Sequence, residues 1–374
     1  NIIQRSILAA MIIFLSFPAP SPATAASVFD LATAGVIQQA KLVAGDAQAG
    51  DIFGDTIAIN GDTLVVGAHQ EDPDLGSGTI TNAGSAYVFV GSGSSWAEQA
   101  KLTASDARAS AYFGVSVAIF EDTIVVGAYK DDPDLGSGII TDAGSVYVFV
   151  RSGNTWNQQA KITASDAQSN DLFGYSVALN GETLVVGAIY EDPDLGSGAI
   201  TDAGSAYVFV RSGDTWSQQA KINANNAGAV DYFGSSVAIF NDTVAVGANL
   251  EDPDLGSGVI LNAGAAYVFV RSENVWGQQA KLNASDAQAN AYFSKVSLHG
   301  DTLVVGADRD NIDLGSGVMQ DAGSAYVFTR SGNAWNQQAK INASDAQTDD
   351  FFGRSIALYR DMLVIGAESE DPDL

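Results

Sequence analysis

The residues best suited to chemistry are acidic side chains that recur in pairs. They are Asp72 and Asp74, Asp132 and Asp134, Asp192 and Asp194, and Asp252 and Asp254, with Asn311 and Asp313 in a fifth copy. In the first four pairs a proline separates the two acids, and in every copy Leu-Gly-Ser-Gly follows. Two oxygen-bearing side chains at this spacing, followed by glycine, look like half of a calcium loop. Calcium takes six to eight oxygens at about 2.3–2.6 Å, so Asp142, Asp202, Asp321 or backbone carbonyls would have to complete the shell. Calcium is the candidate cofactor, at these ten residues. The plainer alternative is an acidic surface loop whose carboxylates cap their own backbone.

Other chemistry has little support. The chain has two histidines, His69 and His299, and no cysteine. No nucleophile–base pair and no transition-metal cluster stands out, so the chain reads as a non-enzyme. Carboxylate pairs are plentiful, which keeps a glycosidase-like arrangement as a third reading. An enzyme usually breaks repeat symmetry at its active site, and no copy gains a distinctive polar constellation. Gly76-Ser77-Gly78 and its copies lack the lysine and the following helix of a phosphate loop. Asn283-Ala284-Ser285 and Asn342-Ala343-Ser344 match glycosylation sequons.

The elements that must carry these loops follow from a repeat. A Gln-Gln-Ala-Lys or Glu-Gln-Ala-Lys run places its lysine at 41, 101, 161, 221, 281 and 340, in steps of 60 residues and once of 59. So long a period in strand-forming residues means a propeller or a solenoid. Within 171–230, Phe173 to Leu179 alternates as a strand, and Asn180-Gly181-Glu182 makes a tight hairpin turn. Thr183 to Ala188 is a continuous apolar strand, covered on both faces. The acidic loop from Glu191 to Gly198 follows, then a third strand over Ser205–Val210 and a fourth over Thr215–Ile222. On the fourth, Trp216, Gln218, Ala220 and Ile222 share a face that packs on a neighbour. Ser217, Gln219 and Lys221 share the face expected at the solvated outer rim. Four antiparallel strands per unit, without helical periodicity, make the blade of an all-β propeller.

Residues 26–42 align to strands three and four, and 351–367 to strands one and two. Together they would form a composite closing blade, giving six blades, or seven in a longer protein. The loops between strands two and three emerge at the same face as those before strand one. Both are acidic, the latter through Asp106, Asp166, Asp171, Asp231, Asp286, Asp345, Asp349 and Asp350, so one face should be strongly negative. Trp96, Trp156, Trp216, Trp276 and Trp335 recur at one position of strand four. Blade packing accounts for them, with a sugar-binding row as the alternative.

Length and composition limit the partners. The chain has 374 residues, 46% hydrophobic, with a formal charge of −27. That charge argues against nucleic acid and against anionic membranes. Without cysteine, stability must come from packing. Residues 1–25 carry one charge, Arg5, then an apolar run from Ile7 to Phe17 and the sequence Ala23-Thr24-Ala25. This reads as a signal peptide, too short to span a bilayer, leaving 26–374 as the mature part, with no membrane insertion. Extracellular, cell-surface or periplasmic placement is expected.

Phe-Gly opens strand one at Phe53-Gly54, Phe113-Gly114, Phe173-Gly174, Phe233-Gly234 and Phe352-Gly353. Gly-Ala closes strand two at Gly67-Ala68, Gly127-Ala128, Gly187-Ala188, Gly247-Ala248, Gly306-Ala307 and Gly366-Ala367. This register resembles the FG-GAP repeat of integrin alpha-subunit propellers and their bacterial relatives, over nearly all of 26–374. Three departures stand out. The proline of the second motif is replaced by His69, Tyr129, Ile189, Asn249, Asp308 and Glu368. In the fifth unit, Phe293 is followed by Ser294-Lys295, one residue short. The family's calcium loop between strands one and two is here a tight turn, such as Asn60-Gly61-Asp62, so that site does not carry over.

The resemblance implies adhesion or binding. The expected role is a secreted, non-enzymatic module whose acidic loops meet an extracellular protein or glycan, directly or through a cation. A structural or surface-assembly component is the second reading, and a carbohydrate-active enzyme the third.

Overall fold

A computed structural model describes residues 40–369, apart from Ser77, Gly93, Ser94, Ser137, Ser257 and Ser316. The expected signal peptide and most of the expected strands over 26–42 lie outside these residues; Ala40, Lys41 and Leu42 are described and carry no strand. The chain divides into two compact units. One holds Ile37–Asp242 with Arg271–Gly277, and the other Thr243–Val270 with Gln278–Leu374.

The first unit contains three antiparallel four-stranded sheets, each with its strands in chain order. They are β1 (Phe53–Asn60), β2 (Thr63–Ala68), β3 (Ser85–Ser92) and β4 (Ser95–Leu102); β5 (Ser116–Phe120), β6 (Thr123–Ala128), β7 (Ser145–Ser152) and β8 (Thr155–Ile162); and β9 (Phe173–Asn180), β10 (Thr183–Ala188), β11 (Ser205–Ser212) and β12 (Thr215–Ile222). Strand β13 (Phe233–Phe240) follows. The second unit holds β14 (Thr243–Ala248) and most of β15 (Ala265–Ser272) and β16 (Val275–Leu282). It also holds a sheet of β17 (Phe293–His299), β18 (Thr302–Ala307), β21 (Ser324–Ser331) and β22 (Ala334–Ile341). Two short pairs complete it: β19 (Ile312–Asp313) with β20 (Val318–Met319), and β23 (Ser355–Tyr359) with β24 (Met362–Gly366).

The core lies between successive sheets. Strand β10 is buried along its whole length, as its unbroken apolar run requires. One cluster joins Val146 and Val148 of β7, Ile162 of β8, Phe173 and Leu179 of β9, Leu184 and Val186 of β10, and Tyr207 and Phe209 of β11. The second sheet thus buries its apolar face against the third.

The paired glycine motifs have a shared steric cause. A Cβ on Gly187 would stand 2.1 Å from the carbonyl oxygen of Gly234. The Ser176 hydroxyl donates to that same oxygen at 2.7 Å. The Gly-Ala of one sheet is therefore the seat of the next repeat's Phe-Gly, and only glycine fits. The one-residue deletion in the fifth unit falls in a bulge. In the third unit Gly174 and Tyr175 bulge between the pairs Phe173↔Ala188 and Ser176↔Gly187. In the fifth only Ser294 separates Phe293↔Ala307 from Lys295↔Gly306. The bulge shrinks and the register is kept.

One sequence expectation fails at the fourth strand. Opposite Val208 and Phe209 stand Ala220 and Gln218, so Gln219 is an extra, bulged residue. Simple alternation stops there, and Gln219 and Lys221 leave the expected outer rim. Gln219 accepts a hydrogen bond from Trp276 Nε1 at 2.8 Å, and Gln159 accepts one from Trp216 Nε1 at 3.3 Å. The tryptophan row packs between sheets, with Arg211 5.5 Å above the Trp216 ring. Gln218 accepts from Ser165 N at 3.1 Å, so the two glutamines clasp consecutive repeats together.

Candidate functional site

Within each unit, the loop between strands two and three lies beside the segment that leads into the next strand one. Ser110 N donates to Thr81 O, Tyr112 N to Asn82 O and Phe113 N to Ala83 O. Tyr112, Leu172, Tyr232, Tyr292 and Phe351, each just before the Phe of the Phe-Gly position, adopt φ between 55° and 58°; in the second and sixth repeats that Phe lies ahead of strand one, which begins at Ser116 and Ser355. Left-handed backbone is costly for such residues. The interloop hydrogen bonds hold it in place.

The first acid of each loop is internal. Glu71, Asp131, Glu191, Glu251 and Asp310 are all buried. Lys221 Nζ lies between Glu191, at 2.5 Å, and Asp166, at 2.9 Å. Ser205 Oγ also donates to Glu191, and the Tyr207 hydroxyl donates to Asp166 at 3.0 Å. The same lysine–carboxylate arrangement occurs at Lys101, Lys161 and Lys340. Burial alone would raise the pKa of Asp166. Hydrogen bonds from Lys221 and Tyr207, with the lysine charge, bring it below the usual carboxylate range. Burial opposes the Lys221 charge too, yet its two carboxylate partners push its pKa up. Burial first, then the nearby acids, push the Tyr207 hydroxyl well up.

The expected ligand pairs cap their own loops. Asp192 Oδ1 accepts from Asp202 N at 2.7 Å. Asp194 Oδ1 accepts from Gly196 N at 2.8 Å and Gly198 N at 3.0 Å, and these backbone bonds lower its pKa. The pattern repeats at Asp72 and Asp74, at Asp132 and Asp134, and at Asp252 and Asp254. Asn311 and Asp313 keep it as well. In every case Oδ1 makes these bonds. Among the described residues, no three His, Cys, Asp or Glu side chains converge as a metal site.

The acids before strand one are also largely structural. Asp171, Asp231 and Asp350 are buried and accept from Gln168 N, Gly228 N and Gln347 N at 2.7, 2.6 and 2.5 Å. Burial, reinforced by the charge of Glu191, raises Asp171 to about 7 against the pull of its backbone bond. The sequons are engaged too: Asn283 Nδ2 donates to Gly264 O and Asn342 Nδ2 to Ser324 Oγ.

What remains outward is a recurring tip. Asp74, Asp134, Asp194, Asp254 and Asp313 are exposed. Beside each stands an exposed leucine: Leu75, Leu135, Leu195, Leu255 and Leu314. Sequence reading passed over these leucines. The signal was an apolar residue kept at one place in an otherwise polar loop. It also missed side chains that differ from copy to copy at the mouth of these loops. His69, Tyr112, Tyr129 and Tyr175 form a chain of ring contacts, with Tyr112 stacked on Tyr129 at 5.6 Å. Lys130 Nζ stands 5.5 Å from the Tyr112 ring and 5.9 Å from the Tyr129 ring.

Repeated four-stranded antiparallel sheets, packed one on the next in the first three repeats, place this chain in the β-propeller class. The FG-GAP repeat model matches residues 36–89, 96–149, 156–209, 216–269, 276–328 and 335–373. The chain belongs to the FG-GAP repeat family. Each of the first five matches ends on the Phe of the Tyr-Val-Phe strand. No curated protein matches the chain. No helix among the described residues is long and apolar enough to cross a membrane.

Proposed function

We propose that the chain is a secreted, non-enzymatic binding module whose loop tips dock a basic extracellular protein surface. The observation that carries this reading is the exposed Asp–Leu pair recurring at Asp74-Leu75, Asp134-Leu135, Asp194-Leu195, Asp254-Leu255 and Asp313-Leu314. Each tip offers a charge and an apolar side chain together. Its backbone is fixed by the carboxylate caps, so little entropy is lost on docking. Several weak contacts on one scaffold reinforce each other when the partner is itself extended or repetitive. The inner acids already hold their lysine and tyrosine partners, so within these loops the tip aspartates are the acids left for recognition. The proposal includes calcium as an exposed bridge at Oδ2 of the tip aspartates, bound in the millimolar range typical of extracellular sites.

The test compares retention on a surface bearing a peptide of mixed lysine and leucine. The wild type, a variant with the five tip leucines changed to serine, and a variant with the five tip aspartates changed to asparagine are run in calcium and in chelator. Asparagine keeps the caps and removes the charge. Both variants should lose roughly tenfold or more in affinity, and the wild type should weaken as salt rises. Equal retention of all three proteins sinks the docking reading. Equal retention of the wild type in calcium and in chelator removes the bridging ion.

A further inference from the structure

The fifth repeat breaks the pattern at a cavity. Ala289, Asn290, Tyr292, Arg309, Asn311, Gln320 and Asp321 line a polar space of about 300 Å3. The sequence places Gln70, Lys130, Tyr190 and Leu250 where Arg309 stands. Asp72, Asp132, Asp192 and Asp252 occupy the position of Asn311, and Thr81, Thr141, Thr201 and Leu261 that of Gln320. Three lining residues are thus peculiar to one copy, in an array whose framework is otherwise repeated closely. The expectation that no copy gains a distinctive polar constellation is corrected here. The change was written in the sequence, but only the fold brings 290–292 and 309–321 to one cavity.

The polar groups of this cavity are open. The Arg309 guanidinium lies 5.2 Å from the Tyr292 ring centre and 5.5 Å from that of Phe351. It forms no ion pair with Asp321, although both line the same space. Asn290 Oδ1 and Asn311 Oδ1 are occupied, by Asn262 Nδ2 and Asp321 N, which leaves both amide nitrogens as donors. Arg309 supplies further donors, and Asp321 and Gln320 supply acceptors. A small polar cavity with unpaired donors and acceptors on its walls is made for a solute that offers both.

We propose that this cavity binds one ring of a neutral, polyhydroxylated sugar. The lining carries one positive and one negative side chain, so it favours neither an anion nor a cation. Hydroxyls donate and accept, which matches a wall of mixed amides, guanidinium and carboxylate. The volume sits at the small end of ligand pockets, which run from roughly 300 to 1,000 Å3, and suits one ring. The proposal rests on the binding-module reading and assigns it a second ligand, a glycan, at a separate place.

The experiment is ligand-observed NMR titration of the full chain with methyl glycosides of glucose, galactose, mannose and N-acetylglucosamine. Methyl glucuronide and free glutamine serve as charged arms. Arg309→Leu and the double variant N311D/Q320T are titrated alongside. The double variant installs residues that other copies already carry, so its fold is expected to hold, and its melting curve checks this. At least one neutral glycoside should bind, and both variants should weaken it about tenfold or more, Arg309→Leu by loss of a charge-assisted hydrogen bond and N311D/Q320T by loss of two neutral ones. Absence of binding by every neutral glycoside overturns the proposal. So does binding that both folded variants retain, or tighter binding of the glucuronide or of glutamine. Retention of the wild type on the lysine–leucine surface is measured on the same preparation. Sugar failure with tip-dependent retention defeats this proposal alone, and failure of both defeats the binding-module reading as well.

Discussion

Replacing Lys221 by methionine should destabilise the protein severely, because it strands a buried carboxylate. Lys221 holds Glu191 at 2.5 Å and Asp166 at 2.9 Å. The side chain of Glu191 is 2% exposed, against 44% for Asp166. Methionine keeps most of the volume, so a cavity is a small part of the loss. Asp166 can turn to water; Glu191 keeps only the Ser205 hydroxyl among the side chains that hold it here. Breaking one side of a buried pair costs about 3–5 kcal/mol. For a cooperative unit of 150–250 residues, 1 kcal/mol shifts Tm by about 2–4 °C, so the drop should be about 6–20 °C. The assay is thermal unfolding followed by circular dichroism at pH 7, with Lys41→Met as an exposed control. The double variant K221M/E191Q removes the stranded charge and should recover part of the loss, with a coupling of about 1–3 kcal/mol. A loss below about 1 kcal/mol in K221M, or a double variant no more stable than K221M, would refute the reasoning.

Two further outcomes follow from other places in the repeat. Gly187→Ala puts a Cβ 2.1 Å from Gly234 O. It should cost about 1–3 kcal/mol or more, while Gly277→Ala, whose Cβ meets nothing within 4 Å, should change Tm little; equal melting of the two would contradict the steric account. Asp171 has its folded pKa raised to about 7 by burial. A carboxyl raised in the folded state stabilises most below its unfolded value and loses that contribution as pH rises from about 4 to about 7. Asp171→Asn should therefore flatten the fall in stability over that window, and chemical denaturation at pH 4.5, 6 and 7.5 would expose an unchanged slope.

The sequence alone determined the blade. Its strands could be read because an apolar run such as Thr183–Ala188 and the Asn180-Gly181-Glu182 turn are local signals, set by burial on both faces and by the left-handed backbone of Gly181. The sixty-residue register carried the family, since Phe-Gly and Gly-Ala recur where backbone must touch backbone. The fate of polar side chains was decided only by tertiary structure. Gln219 and Lys221 alternate correctly on paper, but a bulge that depends on the neighbouring strand turns them inward. Glu191, Asp192 and Asp194 are three acids within four positions of one loop. Packing makes the first the partner of a lysine from strand four, the second a cap on Asp202 N and the third the exposed tip. The cavity of the fifth repeat joins side chains separated by about thirty residues. Local periodicity records which residues share a strand face, but it does not record which open donors and acceptors the fold leaves facing one another across a gap.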